Sequence, residues 1–480
     1  MTPQIATLVF VVGIAGLFLL DRNRQAQTST ALWLPVIWLW IFGSREISLW
    51  MTALRNGESV AYGDTYLDGS PIDRMVYSVL MLIGIIVLVR RGAKASRLLQ
   101  ANLPILLFFL YCAVSVLWSD HSDIALKRWV KSLGDLIMVM IVLTERDWLV
   151  AMKRLLARIA FLLIPLSILL IKYYPSIGKS FKHYGTPIYM GVTTNKNILG
   201  VVCLLCGLGS LWRFLGAYRD HKIPHRFRHL VVHGTVLAMV FWLFGMAHSM
   251  TGLACFLLGS TVMVTTSLGT FARRPSVVHF VFASVVLVSF ATLFLGAGDS
   301  SLQAMGKDVT LTGRTEIWRL VLGMTGNPLV GTGFESFWLP GWRRDKIWSL
   351  YWWHPNEAHN GYIEVFLNLG WIGICLLAGL IVTGYRNILT VLRREPDVGR
   401  LRLSYFVVAV IYNFTEAGFR MLDPIWIVFL LVIMAVPKPL TRGSRTSAAT
   451  LAVIHDEASA AHELEAEHVL SMGKRLEENI

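Results

Sequence analysis

Two short stretches of this chain combine residue types that could handle an anion and a proton. In Thr312-Gly313-Arg314-Thr315-Glu316-Ile317-Trp318, the spacing predicts an amphipathic helix over Gly313–Gly323. Ile317, Leu320, Val321 and Met324 recur at i, i+3, i+4 and i+7. Thr312 can cap its start, and Gly326-Asn327-Pro328 ends it. Arg314 then falls in the first turn, with Trp318 one turn further on the same face. A guanidinium there can fork onto a phosphate group. The plainer alternative is a surface arginine paired with an acid such as Asp308. The second stretch is His354-Pro355-Asn356-Glu357-Ala358-His359-Asn360-Gly361, leading into an apolar run. His359 sits beside a helix start, whose positive end favours a neutral imidazole able to accept a proton. An interfacial histidine bonding its own helix is the alternative. His354 and His359 lack the i, i+4 spacing of a helical metal pair, so no metal is expected.

Further ionisable residues fall where a membrane would make them costly, and such residues tend to be functional. Lys127, Lys131 and Asp135 share a helical stripe, with Arg128 adjacent. Glu364 follows His359 into the apolar run. Glu416 and Arg420, an i, i+4 pair, are expected to bridge one another. Between the two stretches lie Trp338, Trp342, Trp348, Trp352 and Trp353, five of the 17 tryptophans. Such rings anchor at a membrane interface and also stack on sugar faces.

The elements that hold these residues are apolar helices. Of the 480 residues 55% are hydrophobic and only 15% charged, against about 25% in a soluble domain. Runs such as Ile5–Leu20, Met75–Val89, Leu103–Trp118, Ile198–Gly216, Gly252–Thr270, Val277–Gly296 and Tyr362–Thr383 approach bilayer length. A bilayer offers the backbone no water, so they must be helical. The fold class is therefore all-α: a polytopic membrane protein of about 12–13 spanning helices. The first run lacks a basic leader and a small-residue cleavage site, so it reads as a retained span with its N-terminus outside. The five cysteines all fall inside runs, and Cys203 and Cys206 read as packing residues.

Charge sets the orientation. Laying the spans out alternately puts 26 basic residues, in seven short clusters from Arg22/Arg24 to the tail, on one side. That side is expected to be cytoplasmic, which explains much of the net charge of +14 without a nucleic-acid partner. Three longer segments face the other way: Arg45–Arg74; the acid-free Lys172–Asn197 with Lys172, Lys179, Lys182 and Lys196; and residues 297–358, with six basic and six acidic residues. Residues 1–437 read as the membrane domain and 438–480 as a polar cytoplasmic tail. There is no phosphate-binding Gly-x-x-x-x-Gly-Lys-Ser/Thr, no His-Glu-x-x-His and no Gly-x-Ser-x-Gly.

The order of several short segments resembles the O-antigen ligase and polymerase superfamily. These are Lys196-Asn197-Ile198-Leu199-Gly200; Ser249-Met250-Thr251-Gly252; Thr312-Gly313-Arg314 with Trp318; Pro328-Leu329-Val330-Gly331-Thr332-Gly333-Phe334; and Ala358-His359-Asn360-Gly361-Tyr362-Ile363-Glu364 with Leu369-Gly370-Trp371-Ile372-Gly373. The likeness covers roughly Leu103 to Pro437 and leans toward exopolysaccharide polymerases. It implies a glycosyltransferase of the bacterial inner membrane that takes a glycan from undecaprenyl diphosphate on the periplasmic face. The acceptor would be a sugar hydroxyl, of lipid A core for a ligase or of a growing polymer for a polymerase. No cofactor or metal is implied, and a chain-length regulator is a candidate partner. The resemblance assigns the diphosphate to Arg314 and the acceptor hydroxyl to His359 as the catalytic pair. Arg128, Lys196, Asn197, Asn360, Glu364 and Trp318 are candidates for substrate binding. The competing class is a transporter or flippase for lipid-linked glycan, which would place unusual residues at the membrane midplane instead of one edge.

Overall fold

The computed structural model describes residues 1–22, 28–56, 69–181, 185–221, 225–267, 283–284 and 311–437. The expected span Val277–Gly296 and the tail 438–480 lie almost wholly outside the described residues. Met1–Ala435 form one compact unit. In chain order its helices are α1 (Pro3–Leu20), α2 (Trp33–Phe42), α3 (Ile47–Asn56), α4 (Pro71–Arg90), α5 (Gly92–Gln100), α6 (Leu103–Ser115), α7 (Ser122–Leu143), α8 (Trp148–Tyr173) and the single turn α9 (Pro175–Gly178). A two-stranded antiparallel hairpin, β1 (Lys179–Phe181) with β2 (Pro187–Tyr189), pairs Ser180 with Ile188. Then come α10 (Lys196–Arg219), α11 (Arg226–Ala247), α12 (Met250–Thr265), α13 (Leu311–Leu322), α14 (Trp342–Leu350), α15 (Gly361–Arg394), α16 (Pro396–Tyr412) and α17 (Pro424–Ile433).

Among the described residues six helices are long and apolar enough to cross a membrane: α1, α4, α8, α10, α11 and α15. A seventh can be built from α5 and α6, which meet at 85°. The chain is a multi-pass, all-α membrane protein; the remaining expected spans fall on shorter helices, on more polar ones, or outside the described residues. Several apolar runs form helices of 10–17 residues, among them α12 and α17. Others, such as α7, carry too much charge to read as plain spans.

Burial explains the arrangement. All of α17 and all of α16 from Leu401 to Tyr412 are buried, as expected for helices apolar on nearly every side. Helix α16 packs on α12 and α15, and α17 on α15 and α16, while α10 packs on α8, α11 and α12. By contrast α1 exposes Leu8, Val9, Val11 and Val12, and α4 exposes Met75, Val79 and Leu82. Such a belt belongs in hydrocarbon.

The two ends of the bundle differ in charge. At one end Arg91 pairs with Glu145, Arg213 with Asp21 at 2.8 Å, Lys153 lies over Trp212 and Arg402 over Trp148. These residues belong to or border the basic clusters. At the other end Arg45 bonds Ile177 O at 2.6 Å and Thr193 O at 3.0 Å, Arg343 reaches Asp120 at 2.6 Å, and both chemical stretches are found.

One break shapes that second end. Within α15, Gly370 adopts φ 63°, and a Cβ there would overlap Leu329 O. Gly331, at φ 69°, lies equally close to the Asn368–Leu369 backbone. Only glycine suits such an approach in the left-handed region. The freed hydrogen-bonding groups are met by residues 328–333. Trp371 N donates to Pro328 O at 2.9 Å, Thr332 N to Leu367 O at 3.0 Å and Gly333 N to Asn368 O at 2.9 Å. The sequence segments 328–334 and 369–373 are thus two halves of one joint.

Candidate active site

The amphipathic helix forms as α13, two residues earlier at its start than expected; Thr312's side chain and Asp308 lie outside the described residues. Ile317, Trp318, Val321 and Met324 are buried in a small core with Phe337, Ile347, Ala358 and Leu367. This core fastens α13 and α14 to α15 and directs Arg314 away from it. Trp318 Nε1 donates to Ala358 O at 2.7 Å. Ala358 N in turn donates to Glu364, whose two carboxylate oxygens accept from Trp338 Nε1 at 3.0 and 2.9 Å. Trp318 and Glu364 therefore fix the backbone immediately before His359.

His359 itself has φ 51°, a left-handed conformation uncommon outside glycine. It costs about 1–2 kcal/mol. Held strain of this kind gathers at working sites. Asn360 locks the next turn. Its Oδ1 accepts from Tyr362 N at 3.0 Å and Ile363 N at 3.1 Å, capping α15, and its Nδ2 donates to Phe414 O at 3.0 Å. Gly361 N bonds Asn413 O at 2.9 Å, and a Cβ at Gly361 would collide with the Asn413 side chain. The loop after α16 is thereby pressed against the start of α15.

That loop supplies what the sequence reading missed. His359 Nδ1 lies 2.8 Å from Glu357 Oε1 and 3.3 Å from Glu416 Oε2. Arg314 reaches Glu416 Oε1 at 3.3 Å and bonds Thr415 O. Arg420 bonds Glu357 Oε2 at 2.6 Å. The two catalytic candidates, Arg314 and His359, are thus joined through Glu416. In place of the i, i+4 bridge expected between Glu416 and Arg420, the ion pairs among the described residues join Glu416 to Arg314 and His359, and Arg420 to Glu357. The helix stops at Tyr412, because Asn413 Oδ1 takes hydrogen bonds from Gly418 N at 2.8 Å and Phe419 N at 2.7 Å.

The neutral histidine expected from the helix start is also overturned. Burial would lower His359, but hydrogen bonds with Glu357 and Glu416 outweigh it and raise it to about 9. Burial would raise Glu357, yet its bond to His359 and the charge of Arg420 hold it at about 2. Two carboxylates therefore face three cations, and about a quarter of each of the Arg314, His359 and Arg420 side chains is open to solvent.

The other binding candidates lie apart from this network. Arg128 is buried and bonds Glu335 O. Lys196 and Asn197 open α10, half-buried, behind the Asn195 cap on Ile198 N at 2.9 Å. Gly200 packs against Ser249 and Gly252, so those two sequence segments form one helix crossing.

Two groups among the described residues bring three ligand-type atoms within 4.8 Å: Glu357/His359/Glu416 and Asp21/His229/His233. Each already has a guanidinium on it, Arg314 3.3 Å from Glu416 and Arg213 2.8 Å from Asp21. A divalent ion would meet that charge head on. The three cations around His359 suit an anion better.

Comparison with known proteins gives two matches. Residues 234–378 match the O-antigen ligase family model. The chain is also similar to an exopolysaccharide production protein, ExoQ, of Rhizobium meliloti (strain 1021). The two are 24% identical over 356 residues, covering 72% of this chain and 78% of that protein.

Proposed function

We propose that this O-antigen ligase/polymerase-like chain builds polysaccharide by moving a glycan from undecaprenyl diphosphate to a sugar hydroxyl. The reaction is placed on the periplasmic face of the bacterial inner membrane, with the basic end of the bundle in the cytoplasm. The observation that carries this reading is the network Arg314–Glu416–His359–Glu357–Arg420, gathered at the end opposite the basic clusters.

The acceptor oxygen attacks the anomeric carbon, the bond from that carbon to the diphosphate oxygen breaks, and its electron pair leaves with the diphosphate. Arg314, fixed before the reaction, meets the developing charge. The two carboxylates on Nδ1 of His359 turn its other nitrogen, Nε2, toward the role of base for the hydroxyl proton. Arg128 and Lys196 add positive potential at the same end. The bond broken in the donor supplies the driving force, so neither nucleotide nor divalent ion is required.

The test is conversion in detergent. Purified protein given a polyprenyl-diphosphate-linked glycan and a matched acceptor should form product in EDTA, without ATP or a proton gradient. If no product forms while vesicles carrying the protein move the lipid-linked glycan across the bilayer, the chain is a transporter instead.

A further inference from the structure

Two acids outside the network converge on the chain just after Arg420. Asp135, on α7, is fully buried. Its partners among the described residues are two N–H groups and no cation. Its Oδ1 accepts from Trp38 Nε1 at 2.9 Å and its Oδ2 from Leu422 N at 2.9 Å. Glu335 Oε1 accepts from the preceding amide, Met421 N, at 3.2 Å. Arg128 stands seven residues before Asp135, on the same face of α7, and bonds Glu335 O. Helix α7 thus grips two consecutive amides, one directly and one through Glu335.

Stability alone gives little reason for this grip. A buried carboxylate without a cation is costly, and apolar packing in its place is often more stable. The grip also accompanies Glu335 at φ 52° and Leu422 at φ 62°, a region uncommon outside glycine that persists only where the surroundings impose it. What these contacts fix is Arg420. On one side Asn413 Oδ1 holds Gly418 N at 2.8 Å and Phe419 N at 2.7 Å. On the other, Glu335 and Asp135 hold Met421 N and Leu422 N. Between these two pinned pairs, Arg420 bonds Glu357 Oε2 at 2.6 Å, and Glu357 Oε1 meets His359 Nδ1 at 2.8 Å.

We infer that Asp135 is a positioning residue for the His359 network, acting through Leu422, Arg420 and Glu357. Its effect on transfer rests on the transferase reading above, whereas its effect on His359 does not. The residue type follows from the geometry. Two donors face Asp135, and a carboxylate accepts on both oxygens, while an amide of the same shape would turn an N–H toward one of them.

Asp135→Asn is therefore the test. Deuterium uptake at the imidazole C2 of His359, followed by mass spectrometry across pH, reads the ionisation of that ring without turnover. Arg420→Gln removes a cation from beside Glu357 and should raise the midpoint. Asp135→Asn should raise it too, by no more than Arg420→Gln does, and the double variant should match Arg420→Gln alone. A role confined to stability would lower the unfolding temperature and leave the midpoint at its wild-type value, and that result would overturn the inference. In transfer, Asp135→Asn should be about tenfold slower, the effect of one lost hydrogen bond, and the double variant no slower than Arg420→Gln. Losses that multiply would equally overturn it. If wild type transfers nothing, the transferase reading fails and the histidine measurement still decides the role of Asp135. Should Asp135→Asn not fold, backbone exchange in the wild-type protein decides instead. The Met421 and Leu422 amides should exchange far more slowly than those of exposed Trp352 and Trp353, and equal rates would remove the grip.

Discussion

Nδ1 of His359 lies 2.8 Å from Oε1 of Glu357, two residues earlier in the chain. The pair ties stability to pH in a definite way. His359 is raised from 6.5 to about 9. Its contribution is therefore complete below 6.5 and lost as pH rises through about 9. Glu357 is lowered from 4.5 to about 2. Its contribution is complete above 4.5 and lost as pH falls toward 2. The unfolding temperature in detergent should thus decline between pH 6.5 and 9. His359→Gln should flatten that decline. Parallel curves for wild type and variant would show that the charge of His359 is not coupled to folding.

The same pair predicts the rate profile. If His359 Nε2 is the base, the reactive form is the minor one at neutral pH. kcat/KM should rise with pH up to about 9. Glu357→Gln removes the nearer carboxylate and should move that midpoint down. A profile that is level, or that falls, between pH 6 and 9 would assign His359 to charge stabilisation instead of proton transfer.

Part of this arrangement is legible in the sequence. Arg314 and His359 stood out by type and by position beside an apolar run, and the i, i+3, i+4, i+7 pattern marked the buried face of α13. What could not be read was the origin of their partners. Glu416 lies 57 residues beyond His359, and only the end of α16 at Tyr412 turns it toward the imidazole. The i, i+4 rule paired Glu416 with Arg420 because it assumes an unbroken helix, and the Asn413 side chain ends that helix. The helix-end argument for a neutral His359 failed for a related reason: two carboxylates at hydrogen-bond range outweigh half a charge of helix dipole. Asn360 illustrates the limit from the other side. The resemblance marks it for substrate binding, and its side chain also caps α15 and ties down Phe414, a role its residue type does not announce.

Arg314 should tolerate no replacement. Its guanidinium reaches Thr415 O and Glu416 together, a forked geometry that an ammonium cannot reproduce. Both Arg314→Ala and Arg314→Lys should lower transfer by about 10²–10³ while the protein still inserts and folds. Near-normal product from the lysine variant would show that charge alone suffices and that the fork plays no part.

Sidedness can be read with an introduced thiol. Trp352 is 83% exposed at the end that carries the network, and Arg394 is exposed at the end of α15 among the basic residues. In intact spheroplasts an impermeant maleimide should label Trp352→Cys, and should label Arg394→Cys only after the membrane is broken. The reverse pattern would invert the topology and place the network in the cytoplasm.

The joint in α15 gives a prediction with its own control. Gly370 holds φ 63° with no room for a Cβ against Leu329 O. Gly370→Ala must bear the cost of a backbone region essentially reserved for glycine, about 1–3 kcal/mol, and also push residues 328–333 off the helix. Those residues lead directly to Phe334 and Trp338, and Trp338 holds Glu364, which holds Ala358 beside His359. Both the unfolding temperature and the transfer rate should therefore fall. Gly379 lies nine positions on in the same helix, and a Cβ there would meet nothing within 4 Å. Gly379→Ala should be neutral or slightly stabilising, by up to about 1 kcal/mol, because alanine is the better helix former. If the two variants behave alike, the break at Gly370 is not what seats the 328–338 segment, and the chain of contacts from that joint to His359 carries no weight in the reaction.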